Sequence, residues 1–402
     1  MEITPAPASK MRLPRAVWAL GFVSLLMDVS SELIHSLLPV FVVTTLGAST
    51  LSLGFLEGFA EGTAAISKMF SGVLSDWLGK RKALAVIGYG LSAITKPLFP
   101  LAQHLELIFT ARIVDRLGKG IRGSPRDALL GEITPFELRG AAYGLRESLD
   151  TVGAFVGPGL AIVLMFVFAG DIRSVYWFAV LPAFLCVALL IFGVQEPERK
   201  NDGKIAKFAI NKNELAKLGG AYWGVVFVGG VLTLARFSEA FLILRAQNAG
   251  LHPAWVPLVM VVMSVVYALA AYPAGVLSDR MERRFILMIG TGALVLADVI
   301  LAYAANIWGV MIGIGFWGLH LGLSQGLLTT LVADTTPEEI RGTAFGLFNF
   351  ISGFVLLAAS ALAGYLWEVG GPKATFLAGA VFTSLAFAGM LVVYAKRQKT
   401  VR

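Results

Sequence analysis

Charged side chains occur inside long apolar runs of this sequence, at spacings that gather them on single helix faces. Asp28, Glu32 and His35 follow one another at i, i+4 and i+7, which sets them on one side of a helix. Glu57, Glu61 and Lys68 do the same in the next run, and Arg112, Asp115, Arg116 and Lys119 in a later one. Arg236 and Glu239 are helical neighbours further on, and Asp298, His320 and Gln325 stand in apolar runs of the second half. An ionisable group in hydrocarbon is costly, so such groups face a polar cavity or a partner. Acids in a cavity can take up and release protons as their surroundings switch, and guanidinium groups can hold an anion through paired hydrogen bonds. The alternative is that Asp28 and Glu32 merely neutralise Arg112 and Arg116, since buried ions need partners simply to exist. A metal on Asp28, Glu32 and His35 is disfavoured, because that run covers two turns, roughly 10 Å of helix. No metal, cofactor or catalytic residue is expected.

The elements that must position these groups are membrane helices. Of the 402 residues 57% are hydrophobic and 15% charged, against roughly 25% charged in a soluble domain. Apolar runs of roughly 18 residues or more can span a bilayer as helices. The pattern predicts twelve spans, at 16–43, 51–75, 83–102, 104–124, 141–168, 173–194, 219–247, 252–277, 284–305, 307–332, 342–369 and 372–395. Basic residues collect in alternate connections, among them Lys80/Arg81/Lys82, Arg122/Arg126/Arg139 and Arg280/Arg283/Arg284, while turns such as 44–50 and 102–106 lack them. This is the positive-inside pattern, and it predicts both termini in the cytoplasm. The net charge of +7 is therefore topological and implies no nucleic-acid partner. The first run has basic residues before it but Asp28 and Glu32 within it, and reads as a span, not a cleaved signal. The single cysteine, Cys186, lies in an apolar run and reads as a packed hydrophobe.

The chain repeats itself. Gly72-Val-Leu-Ser-Asp76 recurs as Gly275-Val-Leu-Ser-Asp279, an offset of 279 − 76 = 203. Thr134-Pro135 with Arg139-Gly140 recurs as Thr336-Pro337 with Arg341-Gly342, an offset of 336 − 134 = 202. Ser31-Glu32 has a weaker echo in Ser238-Glu239. Two motifs at nearly one offset imply two six-helix bundles in the same orientation, 1–194 and 219–402, joined by a polar cytoplasmic linker at 195–218. Such parallel repeats place a binding site at the midplane between them.

The loop Gly72-x-Leu-Ser-Asp76-x-x-Gly79-Lys80-Arg81-Lys82 resembles the signature loop of the major facilitator superfamily. Its second copy ends Asp279-Arg280, with Glu282 where the family has glycine. Arg116-x-x-Lys119-Gly120 is similar to the family's fourth-span motif, with lysine for glutamine. Gly153-x-x-x-Gly157-Pro158 resembles the fifth-span motif of proton-driven exporters, with Ala161 replacing its last glycine. The resemblance implies a bacterial cytoplasmic-membrane transporter that works by alternating access. It implies that Gly72, Asp76, Gly79, Arg81, Asp279, Arg280, Gly157 and Pro158 take part in gating. It also implies that the first, fourth, seventh and tenth spans line the cavity. On that basis Asp28, Glu32 and Asp115 are expected to couple protons. His35, Arg112, Arg116, Lys119, Arg236, Glu239, His320 and Gln325 are expected to bind substrate.

The expected function is thus secondary transport of a small polar or anionic solute, as proton-coupled efflux of a metabolite, siderophore or drug-like compound by a monomer. Uptake by proton symport, of an anionic metabolite or a divalent metal or its chelate, is the alternative. A membrane-embedded enzyme or a non-transporting sensor on this scaffold is the competing class. Nucleotide hydrolysis is unsupported, because no Gly-x-x-x-x-Gly-Lys-Ser/Thr loop is present.

Overall fold

The computed structural model describes residues 13–196, 218–278, 281–337 and 340–401. The described chain is helical, without strands. Asp279 and Arg280, the side chains of Asp76 and Gln325, and most of the linker lie outside the described residues.

In the first half, α1 is Arg15–His35, α2 Thr50–Leu78, α3 Arg81–Thr95, α4 Leu105–Ile133, α5 Arg139–Val167 and α6 Ile172–Gly193. In the second half, α7 runs as Gly220–Ala235 and then Ala240–Asn248, followed by α8 (Leu258–Ser278), α9 (Arg283–Tyr303) and α10 (Ile307–Asp334). The last helical run, Arg341–Val401, breaks at Gly371 into α11 and α12. Among the described residues nine helical stretches are long and apolar enough to cross a membrane. One of them, Thr343–Leu391, holds both α11 and α12. The remaining two long helices, α2 and α4, have 29 residues each. They are long enough to cross but carry charges, because their polar faces turn inward.

The helix ends have local causes. Gly79 takes the left-handed conformation, φ 64°, that ends α2 and turns the chain into α3. The Ser49 hydroxyl caps α2, and the Asp171 carboxylate caps α6. Pro97 follows the end of α3, where a missing amide stops the ladder. The break in α7, at Arg236–Glu239, contains neither proline nor glycine. Its amides are satisfied from side chains instead: Ser238 N–H donates to Ser360 Oγ at 3.2 Å and Ala240 N–H to Ser238 Oγ at 3.2 Å.

Within the first half α1 packs on α5 and α6, and α4 on α2 and α3. Within the second, α10 packs on α8 and α9, and the last helical run on α7 and α9. The halves meet chiefly along α2 and α11, with a second contact between α5 and α8. The α2–α11 seam is built on Gly54, Gly58 and Gly62, each four residues from the next. A Cβ on Gly58 would stand 2.9 Å from the Leu357 Cα, so only glycine lets the two backbones approach this closely.

The buried core is shared unequally. At the end away from the termini, one cluster runs through both halves, from Leu33, Phe41 and Val175 to Phe241, Val259, Trp317 and Phe376. At the terminal end the described core divides. Val17, Leu20, Tyr89 and Leu190 belong to the first half alone, and two separate clusters around Tyr222 and Ile286 to the second. The buried apolar core is therefore continuous between the halves at one end and divided at the other, where α2 and α11 still touch: a Cβ on Gly346 would stand 3.1 Å from Met69 Cγ.

Candidate functional site

The charged face of α4 meets the charged faces of α1 and α2 inside the first half. Arg112 donates to Glu57 at 2.9 Å and lies 3.9 Å from Glu61. Arg116 pairs with Glu61 at 3.1 Å, and its guanidinium lies 3.2 Å from His35 Nε2. His35 also lies 3.4 Å from Glu57 and 3.7 Å from Glu32. Arg112 and Arg116 are each 2% exposed and Glu57 1%, so these charges are held by one another and not by water. The partners differ from the expected ones: the arginines take the two acids of α2, not Asp28 and Glu32 of α1. Helical spacing selects a face, but the neighbouring helix selects the partner.

A second buried pair lies beneath this layer. Lys96 Nζ contacts Asp115 at 2.9 Å and Ser31 Oγ at 3.0 Å, with Lys96 1% and Asp115 3% exposed. Asp115 is thus turned into the bundle toward α3, away from the gap between the halves. Lys96 was not among the expected site residues; its signal was a lysine ahead of Pro97 in an apolar run. Towards the terminal end Arg122 donates to Ser92 at 2.6 Å and stacks on Tyr89. Arg146 bridges Asp150 at 2.6 Å, Asp127 at 3.9 Å and Glu147.

The second half has no comparable network among the described residues. His320 is fully buried. Its Nδ1 meets the Gly290 carbonyl of α9 at 2.8 Å and its Nε2 lies 3.3 Å from Ser324. It therefore faces the interior of its own bundle, not the gap where substrate binding was expected. Asp298 is fully buried, has one carboxyl oxygen without a partner, and meets the Thr383 hydroxyl at 3.5 Å. Phe237, Phe241, Trp317, Trp367 and Phe376 fill the space below the α7 break with ring centroids 5.5–6.3 Å apart.

Among the described residues, Lys119 on α4 and Arg236 and Glu239 at the α7 break make no contact ion pair or side-chain hydrogen bond. Lys119 is exposed although it lies midway along α4, which marks a cleft reaching deep between the halves. Glu239 lines a small cavity of about 10 Å³, room for about one water molecule, with His35, Pro39, Ala240, Ile243 and Met260. One hydrogen bond crosses here, from the Ser238 hydroxyl to Glu57 at 3.4 Å. Asp28 also lacks an ion pair, and it packs against α5 at Gly153, where a Cβ would stand 2.8 Å from its own. Gly157 likewise abuts α1, at the Val29 carbonyl and the Glu32 stem, with Pro158 buried beside it. The fifth-helix motif therefore holds α5 close to the acids of α1.

Among the residues expected to gate, Gly72 packs near Ser124 of α4, and Arg81 pairs with Glu132 at 2.9 Å, tying the start of α3 to the end of α4. His35, Glu57 and Glu61 can bring one ligand atom each within 4.8 Å of one another. Arg112 and Arg116 already occupy both carboxylates, and their two positive charges oppose a metal ion at that point.

Comparison with known proteins agrees with this architecture. The family model described as Major Facilitator Superfamily matches residues 20–246 and 226–402. An uncharacterized MFS-type transporter of Methanocaldococcus jannaschii is 32% identical over 390 residues, covering 95% of each chain. The inner membrane transport protein YajR of Escherichia coli is 22% identical, covering 92% of this chain and 81% of the relative. The crystal structure of the nucleoside transporter NupG superposes with a TM-score of 0.72 at 14% identity, over 94% of this chain and 98% of the other. With a family match across its length and a relative 32% identical over 95% of each chain, the chain belongs to the major facilitator superfamily, a family of membrane transporters and not of enzymes.

Proposed function

We propose that this secondary transporter moves a small polar or anionic solute outward across the cytoplasmic membrane, driven by protons, as a monomer. One observation carries the reading: the buried core is continuous between the halves at one end and divided at the other, and Lys119, exposed midway along α4, lies between those ends without a contact ion pair. The basic connections lie at the end that bears the termini, which the positive-inside rule assigns to the cytoplasm. The conformation is then open to the cytoplasm. The family's twofold arrangement lets the bundles rock about a midplane site.

Asp28 and Glu32 are the proposed coupling acids. Both lie on the α1 face that α5 approaches, and neither is held by an arginine at contact distance. Asp115 is proposed as structural, because Lys96 and Ser31 hold it away from the cleft. The bond from Ser238 to Glu57 joins the halves where the cleft ends, and it must break when that end opens. The fifth-helix motif Gly153-x-x-x-Gly157-Pro158 supports export over uptake.

The test uses the full chain in liposomes with a trapped pH dye and a panel of charged solutes. Solute-induced proton movement that vanishes in Glu32→Gln is the expected result. Solute flux with no proton movement would remove the coupling assignment, and accumulation along an inward proton gradient would replace export by symport.

A further inference from the structure

His35 is the last residue of α1 and stands among acids and guanidinium groups from three helices. Its Nε2 lies 3.4 Å from Glu57 Oε2, and its Nδ1 lies 3.7 Å from Glu32 Oε2. Arg116 Nη2 reaches both ring nitrogens, Nε2 at 3.2 Å and Nδ1 at 3.5 Å. A guanidinium can only donate, so the ring keeps a lone pair and is neutral in this conformation. The shorter contact puts that lone pair on Nε2, which leaves the ring nothing to donate to Glu57. By contact, Glu32, Glu57 and Glu61 then share only Arg112 and Arg116, and the cluster is one positive charge short. Asp28 and Lys119 add one charge of each sign outside contact and leave that balance unchanged. Arg122 is turned to Ser92 and Tyr89. From the second half, Glu239 lines the one-water cavity beside the ring.

The Glu57 oxygen that faces His35 is also the one that ties the halves together. Oε2 accepts from Arg112 at 2.9 Å and from the Ser238 hydroxyl at 3.4 Å. Oε1 is buried without a partner and takes no part. A carboxylate oxygen has two lone pairs. Arg112 takes one, so Ser238 and a protonated His35 contend for the other. A bond between opposite charges is stronger than one from a neutral hydroxyl, so a proton on His35 weakens the bond that joins the halves. The surroundings accommodate that proton. Each ring N–H would face a carboxylate, Glu57 or Glu32, while Arg116 keeps Glu61 at 3.1 Å. The C-terminal end of α1 favours a cation there. The side chain of His35 is 18% exposed and that of Glu57 1%, so water reaches the ring but not the acid behind it.

We propose that His35 is a proton-operated switch on the bond between the halves. Neutral, it leaves Ser238 on Glu57, and the end with the continuous core stays closed. Protonated, it takes Glu57 Oε2 for itself and releases the second half. The ring takes that proton from water at Nε2, giving up the hydrogen bond from Arg116, and returns it to water when Arg116 donates there again. Glu32 faces Nδ1 and holds the ring in both states. This rests on the transport reading and deepens it: His35 joins the groups that carry the proton, and Glu57 becomes the latch that the proton works.

The experiment uses the full-length protein in nanodiscs, with Cys186→Ala removing the native thiol. Spin labels go on Thr45→Cys, just beyond α1, and Asn248→Cys, at the end of α7, both exposed at the end where the core is continuous. Double electron-electron resonance then reads the distance between the halves with no solute present. From about pH 8 to about pH 5, across the ordinary range of a histidine, the ratio of the longer to the shorter distance should rise about 5-fold or more, the size of one hydrogen bond lost. His35→Gln and His35→Asn should each abolish the rise. His104→Gln, exposed at the start of α4, should keep it. Ser238→Ala should raise the longer distance at about pH 8 and flatten the response, and Ser238→Thr, which keeps the hydroxyl, should restore it. No rise in the wild-type sequence would overturn the proposal. So would a rise that survives both His35 substitutions, or one that is unchanged in Ser238→Ala. The liposome assay separates this from the transport reading. Solute-induced proton movement without the rise would remove the switch and leave coupling standing. The rise without any solute-induced proton movement would do the reverse.

Discussion

The two halves share a fold and handle buried charge in opposite ways. In the first, Arg112, Arg116, Lys96, Glu57, Glu61 and Asp115 are cross-linked by contacts of 2.9–3.1 Å from helix to helix. In the second, Asp298 and His320 meet only neutral groups, and aromatic rings fill the corresponding level. The repeated helices are alike, so the difference lies in the side chains. A network of ion pairs fixes the angles of α2, α3 and α4, because each pair works at one geometry. An aromatic cluster packs well at several. The first half is therefore the preformed wall of the site. The second supplies the broken helix, whose Arg236 and Glu239 make no contact ion pair.

The sharpest way to break this contrast is to remove one partner from a buried pair of the first half. Lys96→Met leaves Asp115 without its counter-charge in a site that water does not reach. It should cost about 3–5 kcal/mol of stability, seen as a large drop in Tm in detergent. Adding Asp115→Asn should recover much of that loss, since replacing both ions of a buried pair is often close to neutral. A single substitution with no effect would show that the pair is not what holds α3 to α4.

Arg112→Met should cost slightly less. Glu57 loses its 2.9 Å partner but keeps His35 at 3.4 Å and the Ser238 hydroxyl at 3.4 Å. The network has a second arginine one turn away, so about 2–4 kcal/mol is expected, again by thermal unfolding. A cost equal to that of Lys96→Met would mean that Arg116 does not compensate.

Gly58→Leu tests the seam where the halves touch. The added side chain must push α11 from α2, at about 1–3 kcal/mol for overpacking. The strain lies between halves, so each bundle should stay folded while flux falls. Loss of folding comparable to Lys96→Met would show that the seam belongs to one core and does not divide two bodies.

How much of this was legible in the sequence follows from the range of each force. The faces bearing Asp28, Glu32 and His35, or Arg112 and Arg116, follow from the helical period alone. So do the spans, since length and apolarity are local properties. The repeat gave the two halves because matching motifs recur at a fixed offset. The pairings were not readable, because whether Arg112 meets Glu32 or Glu57 depends on which helix packs alongside. The role of Lys96 is hidden for the same reason: its partners lie on α1 and α4. The glycines at 54, 58 and 62 do carry a local signal, a four-residue spacing of small residues. The α7 break carried almost none, because it rests on a hydroxyl from α11 that no local pattern reveals.

The smallest effect is expected where the second half mirrors the first in residue type but not in partners. Asp298→Asn keeps the shape of the side chain and can keep the contact with Thr383. No opposite charge touches Asp298, so no ion pair is lost. The glycine at 379 that makes room for its carboxyl also makes room for an amide. The change should fall within about 1 kcal/mol, and solute binding should be unaltered, because Asp298 faces α12 and not the cleft. A loss as large as that of Lys96→Met, read in the same unfolding assay, would mean that Asp298 carries a charge the second half depends on. The division between a charged, fixed half and an apolar, adaptable one would then fail at its weakest point.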